Sequence, residues 1–287
     1  MSDNFRGAVI MTICMGAFVL NDAFVRLAGN TVPLAQILFL RGLLTTVVLM
    51  AFAFYLGIFQ SVLQTGDKWL IFFRSVIEGL TAYFFLTAVM NMPFANVTAI
   101  LQILPMTVTL AAAFMFKERV GAFRISLILI GFIGVTLIIN PSKDGFNLYA
   151  GYALIAVALI TMRDLITRKL SIDIHTLLPT VSASLGVFLF STILMINTPF
   201  QPLSLYNSSF IGLAALFIIF GYYTAVLVMR SGEISFISPF RYSAIIFALL
   251  IGVVFFNEWP NASALLGILL VTASGGILLY RNQTTKS

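Results

Sequence analysis

Two short stretches decide how this chain is read: NDAFVRL at residues 21–27 and RDLITRKL at residues 163–170. Each sets an aspartate four positions ahead of an arginine inside an otherwise apolar run. Only 9% of the 287 residues are charged, so a duplicated charge pattern calls for a cause. Asp164 follows Asp22 by 142 residues, and Arg168 follows Arg26 by the same interval. Glu258 follows Glu118 by 140, in IGVVFFNEWPN and AAFMFKERVG respectively. Several recurrences at nearly one offset imply two related halves.

Composition sets the solvent. The chain is 60% hydrophobic, with a mean hydropathy of +1.06. A soluble domain is about a quarter charged, so this chain has too little polar surface to coat a particle in water. It reads as an integral membrane protein with the lipid bilayer as its main partner. The net charge of +6 does not mark a nucleic-acid binder, because the basic residues lie singly or in short groups between apolar runs. The one cysteine, Cys14, excludes an intrachain disulfide, and the one histidine, His175, falls in a loop. No cofactor, metal site or catalytic centre is expected, and no phosphate-binding GxxxxGK[ST] loop occurs. The apolar start of the chain reads as a retained first helix, not a cleaved signal.

A spanning helix needs about 20 mostly apolar residues. Ten such segments are expected, at 6–27, 33–56, 69–91, 95–116, 123–139, 148–169, 174–196, 208–229, 235–256 and 262–280. With the N-terminus in the cytoplasm, that side receives Arg6, Lys68, Lys117, Arg119, Arg124, Arg168, Lys169, Arg230, Arg281 and Lys286. The other side receives Lys143, with Arg26 near it. This asymmetry predicts that both termini are cytoplasmic. Five helices is an odd number, so the second half must enter the membrane inverted relative to the first. The halves are 6–140 and 148–280, and inverted repeats around a midplane site are typical of secondary transporters.

The residues also carry a resemblance. QILFLRG at 36–42, LQILPMTVTLAAAFMFKERVG at 101–121 and ISPFRYSAIIFALLIGVVFFNEWPN at 237–261 resemble the drug/metabolite transporter superfamily, and within it the EamA-domain branch. The resemblance covers essentially the whole chain. It implies a ten-helix carrier of the bacterial inner membrane with a central cavity lined by both repeats. It further implies a small-metabolite substrate, with exporters of aromatic and neutral amino acids as the nearest kind. Importers of nucleotide-like compounds and vitamins share the branch, and a channel is the more distant alternative.

Charge deep in a bilayer is costly and asks for a partner or a purpose. Arg41 offers a two-pronged grip on a carboxylate, or else neutralises Asp22 or Glu78. Glu78 is a candidate proton carrier or ligand for a substrate ammonium group; its bland reading is an ion pair with Arg41 or Arg74. Pro239 and Pro105 each remove a backbone donor, which makes Arg241 and Tyr242, and Gln102, candidate cavity elements. Tyr83, Tyr222 and Tyr223 complete the expected substrate-binding set, because a hydroxyl in hydrocarbon seeks a partner. Asp22–Arg26 and Asp164–Arg168 have the favourable i,i+4 order and are expected as gate or structural ion pairs. Glu118 and Glu258 are expected as anchors at helix ends. The small residues in GFIGV and ASGGILL allow close helix contact, either within the chain or between two copies in a homodimer.

Overall fold

The computed structural model describes residues 3–58, 64–116, 121–139, 147–171, 173–229 and 237–284. Eleven α-helices follow one another, with no strand among the described residues. They are α1 (Asp3–Ala28), α2 (Leu34–Tyr55), α3 (Thr65–Asn91), α4 (Phe94–Leu101), α5 (Leu104–Phe116) and α6 (Ala122–Ile139). After these come α7 (Leu148–Arg168), α8 (Leu177–Met195), α9 (Leu205–Met229), α10 (Ser243–Phe256) and α11 (Ala262–Thr284), with a 3-10 turn at Ser238–Tyr242 leading into α10.

Eight stretches are long and apolar enough to cross a membrane, and one of them, Phe94–Met115, joins α4 and α5. Two further apolar helices, Phe240–Phe256 and Ala262–Leu278, are shorter. The outside of the bundle is oily: Phe114, Leu205, Val254 and Leu269 are all more than half exposed. A surface of that kind is stable only against lipid. Val25, Ile37, Leu86, Phe94, Ile100 and Met106 are buried where helices of the first half meet one another and α10.

The segment expected as one helix at 95–116 is broken, and Pro105 is the cause. Having no N–H, Pro105 cannot donate to a carbonyl one turn back. The N–H of Met106 donates instead to Ile103, at 2.9 Å. The Gln102 carbonyl thereby loses the donors on both following positions that could have reached it. Near Pro239 the corresponding irregularity is the 3-10 turn, where a continuous helix from 235 was expected.

Helix contacts run mostly between the halves. α1 packs on α9 and α3 on α7, while α2 meets α8 and α6 meets α11. Gly134 of α6 and Gly267 of α11 lie so close that a methyl group on either would strike the other's backbone oxygen. Gly134 of GFIGV thus serves contact within the chain, as does Gly275 of ASGGILL, which packs against Tyr242, whereas Gly276 has open space beside it.

One cross-half hydrogen bond occurs twice, at opposite ends of the bundle. Ser171, after α7, donates to Asp67 in α3 through its hydroxyl at 2.9 Å and its backbone N–H at 3.1 Å. Asn207 in α9 donates to Thr31, after α1, at 2.9 Å. Ser171 lies 140 positions after Thr31, and Asn207 lies 140 after Asp67.

Candidate functional site

The polar interior begins with the first quoted stretch. Asn21 and Asp22 stand on α1, facing Arg41 of α2. Arg41 is 7% exposed, and its Nη1 donates to the side-chain oxygen of Asn21 at 2.8 Å. The Asn21 amide nitrogen then donates to Asp22 at 2.8 Å. Asn21, itself buried, thus links the arginine to Asp22.

Beside Arg41 is a small cavity of about 20 Å³, walled by Gly42, Thr45, Ser184, Val187, Ile218 and Tyr222. That is room for about one water molecule. Three helices, α2 of the first half with α8 and α9 of the second, converge here, and Gly42 lets α2 approach the Phe188 backbone of α8; a Cβ at Gly42 would meet it at 3.1 Å. The Thr45 hydroxyl is buried on this wall with no hydrogen-bond partner among the described residues. Such a group normally has one, so the site is polar beyond its own internal needs.

Toward the end of the bundle where α3 begins, Glu78 meets Arg163 of α7, with both carboxylate oxygens at 3.3 Å. Arg163 is shared with Asp164 at 2.8 Å. Arg74, one turn before Glu78, donates to Thr167 at 3.0 Å and to the Pro179 carbonyl at 2.6 Å. Glu78 is therefore paired, but with neither of the partners expected for it. The interior set contains Arg41, Arg74 and Arg163 against Asp22, Glu78 and Asp164, and so balances in charge.

The expected pair Asp22–Arg26 is corrected. Arg26 turns to Glu258, which takes both guanidinium nitrogens, at 2.5 and 3.1 Å. A bidentate carboxylate is a better partner than one offered at a helix i,i+4 spacing. Phe256 lies under the guanidinium at 4.3 Å, and the Phe94 N–H at the start of α4 donates to the same carboxylate at 2.7 Å. Asn257 aims Glu258 there. It ends α10 in the left-handed conformation, φ 52°, while the Glu258 N–H closes back on Gly252 at 2.9 Å. Glu258 is thus the helix-end anchor expected of it; Glu118 lies outside the described residues. Asp164 is likewise held by its neighbour Arg163, and Arg168 is exposed at the end of α7.

The remaining expected residues scatter. Tyr222 lines the cavity, whereas Tyr223, one position round the helix, is exposed. Tyr83 packs edge-on against Phe84 and Phe190. Tyr242 is buried and donates to the Gln102 carbonyl at 3.4 Å, while Arg241 beside it is exposed. Arg41 and Tyr222 therefore share a wall, whereas Tyr223 and Arg241 point elsewhere. Asn21 and Arg163 were missed as partners. The signal for Asn21 was an amide beside an acid at spanning depth; for Arg163 it was a second arginine one residue ahead of the quoted aspartate. His175 accepts the Leu177 N–H at 3.2 Å, at the start of α8.

Comparison with known proteins gives this geometry its setting. Residues 5–140 match the EamA-like transporter family. The S-adenosylmethionine uptake transporter of Rickettsia prowazekii is 22% identical over 279 residues, covering 93% of this chain and 90% of that protein. The pseudopaline exporter of Pseudomonas aeruginosa is 23% identical over 274 residues, covering 95% and 93%. One solved crystal structure shares the fold with a TM-score of 0.62 at 18% identity, over 96% of this chain and 98% of that one. The chain is thus a multi-pass membrane protein whose residues 5–140 match the EamA-like transporter family.

Proposed function

We propose that the chain is a secondary carrier of the bacterial inner membrane that exports amino acids or similar small metabolites by alternating access. Ten membrane-crossing segments form two inverted five-helix repeats, 6–140 and 148–280, with both termini cytoplasmic. The observation that carries this reading is Arg41: a buried guanidinium, bonded to a neutral amide, at a cavity to which both halves contribute. A guanidinium whose Nε and Nη2 have no hydrogen-bond partner among the described residues favours a carboxylate in a low-dielectric interior. The cross-half hydrogen bonds repeated at 140 residues support the inverted repeat, and the basic residues in the loops support the orientation. Glu78 is the group through which protons would couple. A carrier needs neither catalysis nor a cofactor.

Import of nucleotide-like metabolites is the second reading, favoured by the similarity to an S-adenosylmethionine uptake transporter. The relatives include both an uptake protein and an exporter, and direction in a carrier follows the gradients, not the fold.

Counterflow in proteoliposomes tests the proposal. Vesicles loaded with one unlabelled amino acid take up its labelled form with no ion gradient present. Accumulation that disappears in Arg41→Ala supports the reading. No accumulation across a panel of amino acids, in protein shown to be folded, overturns it and moves nucleotide-like substrates forward.

A further inference from the structure

We propose that Asn21 determines the head group that the Arg41 site accepts, by keeping Arg41 and Asp22 apart so that both stay available to a zwitterion. The inference rests on the amino-acid reading above and deepens it.

In an interior of low dielectric, an arginine and an aspartate that bond to the same side chain would be expected to pair directly, fork to carboxylate. They do not. The Asn21 amide is inserted between them, accepting from Arg41 and donating to Asp22, each at 2.8 Å. The amide is neutral, so it neither quenches the guanidinium nor uses up its fork: Arg41 has five N–H donors, and the Asn21 oxygen accepts from Nη1 alone. At the other end, Asn21 occupies one carboxylate oxygen of Asp22. An α-amino acid carries its carboxylate and ammonium on one carbon. It can place the first on Arg41 and the second on Asp22, with the amide between them.

Two further observations point to a ligand. The cavity lies against Arg41, and the buried Thr45 hydroxyl on its wall lacks a partner among the described residues. At about 20 Å³ it holds water and no substrate, so in this form α8 and α9 must part from α2 before a head group enters. The other acid that acts on Arg41 is Glu78, and it is tied to Arg163. That leaves Asp22 as the acid whose distance from Arg41 is set by a single replaceable side chain.

The test is competition. Against the labelled amino acid that counterflows best, its unlabelled form is compared with the amine lacking the carboxylate. In the unaltered carrier the amino acid should compete at least tenfold better. The double variant Asn21→Asp with Asp22→Asn keeps the net charge but sets a carboxylate directly on Arg41, and the preference should fall to threefold or less. Where that variant gives no counterflow, the thermal shift produced by each compound on the detergent-solubilised protein reads the same ratio. An unchanged tenfold preference in the double variant, or an equal loss of both compounds, overturns the role of Asn21 while leaving the amino-acid carrier standing. A carrier that is inert to every amino acid overturns both.

Discussion

The hydroxyl of Tyr242 donates to the backbone carbonyl of Gln102 at 3.4 Å, joining two irregular helices at positions 140 residues apart. The carbonyl is free because Pro105 has no N–H and Met106 donates elsewhere. The tyrosine reaches it past Gly275 of α11, where a methyl group would collide with the phenol ring and hydroxyl. Gly275→Ala should therefore lower the thermal midpoint by several degrees, in keeping with the roughly 1–3 kcal/mol cost of overpacking. In a Tyr242→Ala background the same substitution should cost much less. Equal costs in the two backgrounds would show that Tyr242 does not fill that space.

Glu258 satisfies Arg26 and the Phe94 N–H together. Glu258→Ala should destabilise the protein by roughly 1–3 kcal/mol, the cost of leaving hydrogen-bonding groups unpaired. Glu258→Gln keeps an acceptor for Phe94 and should lose less. Thermal unfolding of the purified variants checks the order, and reversal of it would contradict the dual role.

Glu78 and Arg163 are 12% and 23% exposed in their side chains. Breaking a buried pair from one side costs about 3–5 kcal/mol, and partial exposure places this pair at or below the lower bound. Glu78→Gln alone should cost less than that, because Arg163 keeps Asp164 at 2.8 Å, and adding Arg163→Gln should deepen the loss by leaving Asp164 without its partner. If Glu78→Gln still exchanges substrate with no proton gradient present but is no longer driven to accumulate it by one, Glu78 is the coupling group. Full gradient-driven uptake in Glu78→Gln would remove it from that role.

The twin hydrogen bonds Ser171–Asp67 and Asn207–Thr31 make a matched pair of small perturbations. Ser171→Ala and Thr31→Val should each cost about 1 kcal/mol. Because the bonds lie at opposite ends, they should shift cysteine accessibility in opposite senses: Ser171→Ala opens the end where α3 begins, and Thr31→Val the end where α2 begins. Labelling of single cysteines introduced at Lys68 and Ser204 reads each end separately. Accessibility that moves in the same sense for both variants would contradict a rocking carrier.

Much of this was legible in the sequence because lipid imposes a strong rule. Spanning helices must be apolar for about 20 residues, so segment positions follow from composition, and α1, α2, α6 and α7 lie close to the expected bounds. The break at Gln102 followed from Pro105 in kind, though not in extent. Ion-pair partners were less legible. Asp22 and Arg26 have the spacing of a helix pair, yet a glutamate 232 residues away takes the arginine. Local spacing says which groups can meet on one helix, but a bidentate partner delivered by a tertiary contact wins. The left-handed Asn257 that delivers it is a turn conformation that asparagine permits and does not require. Tyr222 and Tyr223 were equal as sequence, and only the facing of α9 separates them.

The claim at the centre of this account is that substrate crosses as the two ends open in turn. In a Cys14→Ala background, Thr31→Cys and Asn207→Cys are bridged by a short bis-methanethiosulfonate reagent, and counterflow of the best amino acid is measured before bridging, after it, and after reduction. Transport should stop on bridging and return on reduction. Counterflow that continues at the unbridged rate in fully bridged protein would show that this end need not open, and alternating access between these halves would be wrong.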